Sequence, residues 1–306
     1  MASLLVTGSI ALDTVETTSN RMDNQLGGSA VYFSMAGAHL NPVRLVGAVG
    51  DDFPAEHTAL LNKYNIDTRG LEIRKGSKTF RWHGKYSQDM NNRDTISLAL
   101  NILAEHGPKI PAAFADSEYV FLANNAPTLQ MDLLDQLTKP KFVICDTMDF
   151  YINNFLADLK KLLTRVDGIV LNDSEARLIT GEHNLITAAF AVSHLGPKMV
   201  IVKKGEHGAM MVHNGKLFLL PAYPTEKVVD PTGAGDSFAG GFMGYLASVD
   251  KTDFNALANA LVYGTIIASF TVESFSMKSL LTADKRSIDH RRNEFLEMIG
   301  TKLTRA

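Results

Sequence analysis

Between residues 119 and 202, short apolar runs alternate with helical stretches, and this alternation restricts the fold more than any other feature of the chain. Residues 119–123, 142–145, 168–171 and 199–202 are apolar at nearly every position, as strands buried on both faces must be. Stretches near 129–137, 154–163, 175–180 and 186–194 separate them with helical spacing. Strand–helix units repeated in this order predict a parallel sheet covered by helices on both sides. The N-terminal third joins the pattern: 4–8 and 43–49 read as strands, 31–40 as a helix of small and apolar residues. Asp51-Asp52-Phe53-Pro54 reads as the acidic opening of a further helix. Residues 254–270 form a long apolar helix, and 289–303 a polar-faced helix that closes the chain.

Residues 78–100 break the rhythm. Two β-prone runs, 79–86 and 95–100, flank a polar stretch at 88–94, which predicts a hairpin with one wet face. With 14–18 it would form a small sheet standing off the main body. The composition suits a large core: 45% of the 306 residues are hydrophobic and 21% charged. A net charge of −3 argues against a partner that is a nucleic-acid polymer, because tracking phosphates takes an excess of Lys and Arg. Cys145 is the sole cysteine. It excludes an intrachain disulfide and suits a reducing, cytoplasmic setting. Residues 1–13 are apolar but lack a basic leader, so they read as a strand and not a signal peptide. No apolar run approaches the length of a membrane span. The nine histidines show no metal-binding spacing.

The most chemically loaded segment is 228–241, Val-Val-Asp-Pro-Thr-Gly-Ala-Gly-Asp-Ser-Phe-Ala-Gly-Gly. A short apolar run enters a Gly-rich turn, and the turn opens a helix with Asp236 in its first turn. Backbone N–H groups of Gly233, Ala234, Gly235 and Asp236 would gather negative charge at that helix start, and Asp236 would take a proton from an attacking hydroxyl. The order suits phosphoryl transfer. A capped helix start with a solvated Asp is the plainer alternative. The Walker pattern fails because no Gly-Lys is followed by Ser or Thr. The dinucleotide fingerprint fails at Phe238, and the nucleophile elbow at Ala239. Gly240, Gly241 and Gly244 each cost roughly 1 kcal/mol in a helix, so close packing must compensate.

Residues 230–236 resemble the Asp-Thr-x-Gly-Ala-Gly-Asp signature of the ribokinase-like (PfkB) family of carbohydrate and nucleoside kinases, with Pro231 in place of Thr. The resemblance covers almost the whole chain. It implies a three-layer, doubly wound, mostly parallel α/β fold in one domain, 1–306, with a β lid from about 13–26 and 78–100. It implies Asp236 as catalytic base and Gly233, Ala234 and Gly235 as an anion hole. Gly27-Gly28-Ser29 and the acid Asp13 match the family's sugar-binding positions. Many relatives carry Asn shortly after the paired Gly, where this chain has Val31-Tyr32-Phe33. Asn172-Asp173-Ser174-Glu175 resembles the Asn-x-x-Glu motif that organises Mg²⁺, water and phosphate, although a capping box would read the same. Lys203, Gly205 and Gly208 match a segment that contacts ATP phosphates. Asp230 and Thr232 match a monovalent-cation site (K⁺), and 254–276 matches the adenine-flanking region by position. Relatives also dimerise through lid strands, which implies a homodimer.

Asn124 and Asn125 follow a strand, at the end where open α/β sheets bind ligands; Asn125 is a candidate substrate contact. Asp51 and Asp52 read as helix-start charge. Trp82 and Tyr86 face either substrate or partner, or simply pack. The expected activity is ATP- and Mg²⁺-dependent phosphorylation of a hydroxymethyl group on a sugar. A nucleoside kinase of the adenosine or inosine type is the alternative, and a catalytically silent sugar- or nucleotide-binding regulator the rival from another class.

Overall fold

The computed structural model describes residues 1–18, 20–90 and 93–300. The chain opens with β1 (Leu4–Thr7), β2 (Ala11–Glu16), β3 (Arg21–Gly27), α1 (Ser29–Gly37), β4 (Val43–Gly50), α2 (Ala55–Lys63), β5 (Ile66–Arg74), β6 (Phe80–Tyr86) and β7 (Arg93–Ala99). The alternating region supplies β8 (Tyr119–Leu122), α3 (Pro127–Leu134), β9 (Phe142–Asp146), α4 (Asp149–Leu163), β10 (Gly168–Asn172), α5 (Asp173–Thr180), α6 (Leu185–Ser193) and β11 (Met199–Lys203). The hairpin β12 (Ala209–His213) and β13 (Lys216–Leu220) follows, then α7 (Ala234–Val249), α8 (Phe254–Thr271), α9 (Lys278–Thr282) and α10 (Lys285–Met298).

Nine strands form one sheet in the order β13-β12-β11-β10-β9-β8-β1-β4-β5. All neighbours run parallel except β11–β12 and β12–β13. Side chains alternate between two cores, as the pleat requires. Leu4 and Val6 of β1 pack with α1, α7 and α8, whereas Leu5 packs with α3 to α6. The result is three layers, helices–sheet–helices. Strand order reverses between β1 and β8, which opens a crevice beyond their C-terminal ends. A second sheet, β3-β2-β6-β7, is the lid.

Four strands escaped the sequence pattern, and polar β3 was covered only by the lid bounds that the resemblance implied. Asp67, Arg69, Glu72 and Arg74 interrupt the edge strand β5, so no apolar run marks it. The turn between β12 and β13 is Asn214-Gly215, with φ of 48° and 75°. That is a two-residue hairpin signal visible in the sequence and missed there. The helix expected at residue 51 begins at Ala55. Asp51 instead accepts the Gly76 N–H, and Asp52 accepts the Thr79 N–H and pairs with Arg81 at 3.1 Å. These carboxylates tie the end of β4 to the lid. The helix expected over 289–303 runs from Lys285 to Met298, and 301–303 lie outside the described residues. Contrary to the expectation of no membrane-length run, α8 is long and apolar enough to cross a bilayer. Yet 83% of it is buried, against α7 and the sheet, so it is a core helix.

The packing that three helical glycines demand is present. A Cβ at Gly240 would lie 2.3 Å from the Phe33 carbonyl oxygen, and one at Gly244 would lie 2.8 Å from that of Gly37. One at Gly241 would meet the Tyr263 carbonyl of α8 at 2.9 Å. Helix α7 is therefore wedged backbone-to-backbone between α1 and α8, and its N-terminus is fixed relative to that of α1. Gly240→Ala should lose about 1–3 kcal/mol of unfolding free energy through overpacking, against a gain of roughly 1 kcal/mol in helix propensity. Equilibrium denaturation checks this, and a net gain in stability would refute the wedge.

Candidate active site

The N-termini of α1 and α7 converge beneath the lid. Gly28 enters α1 at φ +94°, against the Ser9 backbone that follows β1. Ser9 and Ser29 lock this turn: each backbone N–H donates to the other's hydroxyl at 3.2 and 3.0 Å, and the hydroxyls are 3.0 Å apart. The hydroxyl of Ser29 is thus engaged within the protein. Gly27 leaves room for Asp13, since a Cβ there would fall 1.9 Å from Asp13 Oδ2. Burial pushes the Asp13 carboxyl up to about 7; the Gly28 N–H opposes this, and Asp230 and Asp236 add to it.

At α7, Gly233 takes φ +74° and lies on the Tyr32 ring, 2.2 Å from where its Cβ would stand. Tyr32 is buried and bonds Ser276. The residue standing in place of Asn therefore supports the glycine turn from below. The Ala234 N–H, expected to face an anion, donates instead to the Pro231 carbonyl at 3.1 Å. It does so because the turn closes on itself before the helix starts. Gly233 and Gly235 N–H have no acceptor among the described residues. The Asp236 N–H is directed at its own carboxylate.

Lys203, at the end of β11, extends toward this turn. Its Nζ lies 2.7 Å from the position a Gly235 Cβ would take. Asp146 ends β9, Glu175 lies in the first turn of α5, and Asp236 stands opposite, all within electrostatic reach of that ammonium. Burial alone would lower the Lys203 pKa, but the three carboxylates outweigh it and raise it. Asp236 is pushed up to about 7 by burial and by Asp146, against the pull of Lys203 and of Arg93 from the lid. Burial likewise raises Glu175 to about 7, eased by Lys203, and raises Asp146. The groups titrate as a set rather than singly.

Asn172 and Glu175 form a complete capping box, Asn172 Oδ1 accepting Glu175 N–H at 2.8 Å and Glu175 Oε2 accepting Asn172 N–H at 2.7 Å. Gly205 and Gly208 close a tight turn, with Lys204 N–H to Gly208 O at 2.7 Å and Gly208 pressed against Leu220 O. Asp230 is fully buried; its oxygens accept the N–H groups of Thr232 and Ser276 at 2.9 and 3.0 Å. No described cationic side chain sits beside it. Asn125 spends its oxygen on the Ala126 N–H and borders a cavity of about 20 Å³ under residues 102–108. The lid reaches the glycine turn directly, where the Thr232 hydroxyl donates to Tyr86 at 3.0 Å.

The structure brings Asp13, Gly27, Gly28, Asp230, Thr232, Gly233, Gly235, Asp236, Lys203 and Glu175 into one neighbourhood. Asp146 joined it unannounced, and Tyr86, already a candidate to face substrate, reaches it from the lid together with Arg93. Asp146 had a visible signal, a carboxylate closing an apolar strand in the manner of an open α/β site. Arg93 and Tyr86 meet the turn only through the lid.

Comparison with known proteins identifies the family and the fold. The description "pfkB family carbohydrate kinase" matches residues 1–283. A cytidine kinase of Thermococcus kodakarensis is 31% identical over 79% of this chain and 88% of its own. Among solved structures, a nucleoside kinase of Methanocaldococcus jannaschii superposes with TM-score 0.76 at 20% identity, covering 96% of this chain and 99% of its own. A ribokinase of Cryptococcus neoformans in complex with ADP gives 0.78 at 21%, covering 95% and 99%. The chain belongs to the pfkB family of carbohydrate kinases, and its fold is the ribokinase-like one.

Proposed function

We propose that this kinase transfers the terminal phosphoryl of ATP to a hydroxymethyl group of a sugar or nucleoside, with Asp236 as base. One observation carries the reading. A carboxylate whose pKa is about 7 stands beside two glycine N–H groups that the protein leaves unbonded. A base poised near neutrality removes a proton best, and free N–H groups aimed at one point stabilise a transferring phosphoryl. Asp13 takes two acceptor hydroxyls while the acceptor's O–H points at Asp236. The proton passes to Asp236 as the oxygen bonds phosphorus and the ADP oxygen leaves. Gly27 and Gly28 give Asp13 its place, and Ser29 acts through Ser9. Lys203 holds phosphate oxygens, with Asn172, Gly205 and Gly208 on the nucleotide side. Lid contact through Tyr86 keeps water from the reacting phosphoryl.

Carboxylates outnumber cations in this cluster, which fits a divalent ion arriving with the nucleotide. No group of three ligand-type side chains converges among the described residues, as expected for Mg²⁺, which meets protein through one or two carboxylates. Asp146 and Glu175 would hold it, and it would neutralise phosphate charge. Asp230, buried without a cationic neighbour, and Thr232 suit a K⁺ ion in the same way. Residues 1–306 act as one catalytic unit in the cytoplasm. A homodimer through the lid is supported by Ile96 and Leu100, which are 53% and 48% exposed. A silent regulator would need no base held near neutrality.

Asp236→Asn should leave nucleotide binding intact while kcat falls about 10²–10⁴-fold; it is assayed on a panel of ribose, fructose, adenosine, inosine and cytidine. Near wild-type turnover would sink the base assignment. Activity should fall as pH drops through about 7. Lys203→Met removes the charge that holds these carboxyls down, so the acid limb of kcat/KM should move to higher pH. A limb that stays put would separate Lys203 from the base. Stability has the opposite sign. The folded Asp236 pKa lies above its unfolded value of 3.8, so its contribution is present below pH 3.8 and lost as pH rises to about 7. Asp236→Asn should therefore raise Tm at pH 8 and not at pH 3.5, as calorimetry would register.

A further inference from the structure

We propose, resting on the reading of this site as a phosphotransferase, that the acceptor is a nucleoside whose base lies against the indole of Trp82, above the ends of β8 and β9. Trp82 is the only tryptophan in the chain. It pairs in register with Asp13 across the parallel strands β2 and β6. Both side chains therefore leave the same lid face, with their backbones about 5 Å apart. The six-membered ring covers Gly84, whose missing Cβ would fall 2.0 Å from it. Trp82 Nε1 donates to Thr95 Oγ1 at 3.2 Å. The indole is thus held flat along the strand by an absent side chain and a hydrogen bond, with the Arg93 guanidinium 5.9 Å from its ring. It stays partly exposed, and Leu98 opposite it is 53% exposed. An acceptor held at Asp13 meets this surface next. A free pentose is small and polar all round, whereas a nucleobase presents a flat apolar face to it.

The opposite wall gives an independent observation. Thr147 Oγ1 and Asn124 Oδ1 are buried without a hydrogen-bond partner among the described residues, and Thr147 is 3% exposed. The Asn124 amide nitrogen reaches only Met148 Sδ, at 3.2 Å. These residues follow β8 and β9, which are neighbours, and β8 adjoins β1. Beyond β1, Ser9 carries the Gly28 turn, whose N–H reaches Asp13. The unmatched oxygens and the carboxylate therefore lie along one crevice. Buried oxygens without donors destabilise a fold unless a ligand supplies them. An exocyclic amino group on a pyrimidine or purine brings two N–H donors, and a sugar at Asp13 places its base on this side.

The test uses the full chain and the emission of its single tryptophan. Cytidine and adenosine should change that emission saturably without ATP, and ribose and methyl riboside should not. In phosphotransfer assays, Trp82→Ala should raise KM for the nucleoside about 5- to 150-fold, the range of one base stack. KM for ATP should be unchanged, and Trp82→Tyr should restore most of the loss. Thr147→Val should raise KM for cytidine or adenosine yet increase the Tm of the ligand-free protein, a gain that a supporting structural role would not give. Nucleoside phosphorylation with unchanged emission, or with an unchanged KM in Trp82→Ala, overturns the base subsite and leaves the phosphotransferase reading standing. A higher kcat/KM for a free sugar than for any nucleoside also overturns it. Saturable nucleoside binding without transfer to any acceptor supports the subsite and overturns the reading on which it rests.

Discussion

One ammonium among three carboxylates sets the character of this molecule. Lys203 lies within electrostatic reach of Asp146, Glu175 and Asp236; each acid is raised by burial and held back by that charge, and Arg93 adds to the pull on Asp236. The balance keeps Asp236 near neutrality, where a carboxyl both exists as a base and gains from accepting a proton. It also destabilises the fold near neutral pH, since ionising these groups opposes burial. The wedge of α7 between α1 and α8 answers that cost. Its glycines trade helix propensity for backbone contact and hold the charged helix start in place.

The lid is built into the same arrangement. Asp52 and Asp51 anchor its base, and Tyr86 touches Thr232 on the glycine turn. Asp13 belongs to the lid sheet yet bonds the first turn of α1 through Gly28. The lid is thus joined to the first turns of α1 and α7 by short hydrogen-bonded paths, and a lid displaced by a few ångströms would separate Asp13 from Gly28.

Much of the fold was legible because its signals are local. Fully apolar runs at 119–123 and 199–202 announce strands covered on both faces. The order Gly233-Ala234-Gly235-Asp236 announces a glycine turn that opens a helix, and the small sheet was readable from two β-prone runs. What was misread involved residues whose roles depend on distant partners. Asp51 and Asp52 have the composition of a helix start, but their acceptors serve backbone N–H groups near residues 76 and 79. Ala234 sits in the middle of the turn, and its N–H is lost to Pro231 because the chain folds back there. Tyr32 stands where many relatives carry Asn and is a support for Gly233.

The sequence alone determined the layer architecture, the strand rhythm and the residue types at the glycine turn, because hydrophobic period and backbone freedom act over a few residues. Only the tertiary structure decided which acids share a charge. Asp146, Glu175 and Asp236 come from three separate elements, and their pKa values arise from burial and mutual distance, which no local window contains. It also decided that Trp82 lies beside Asp13, since register between β2 and β6 is fixed by pairing across more than sixty intervening residues.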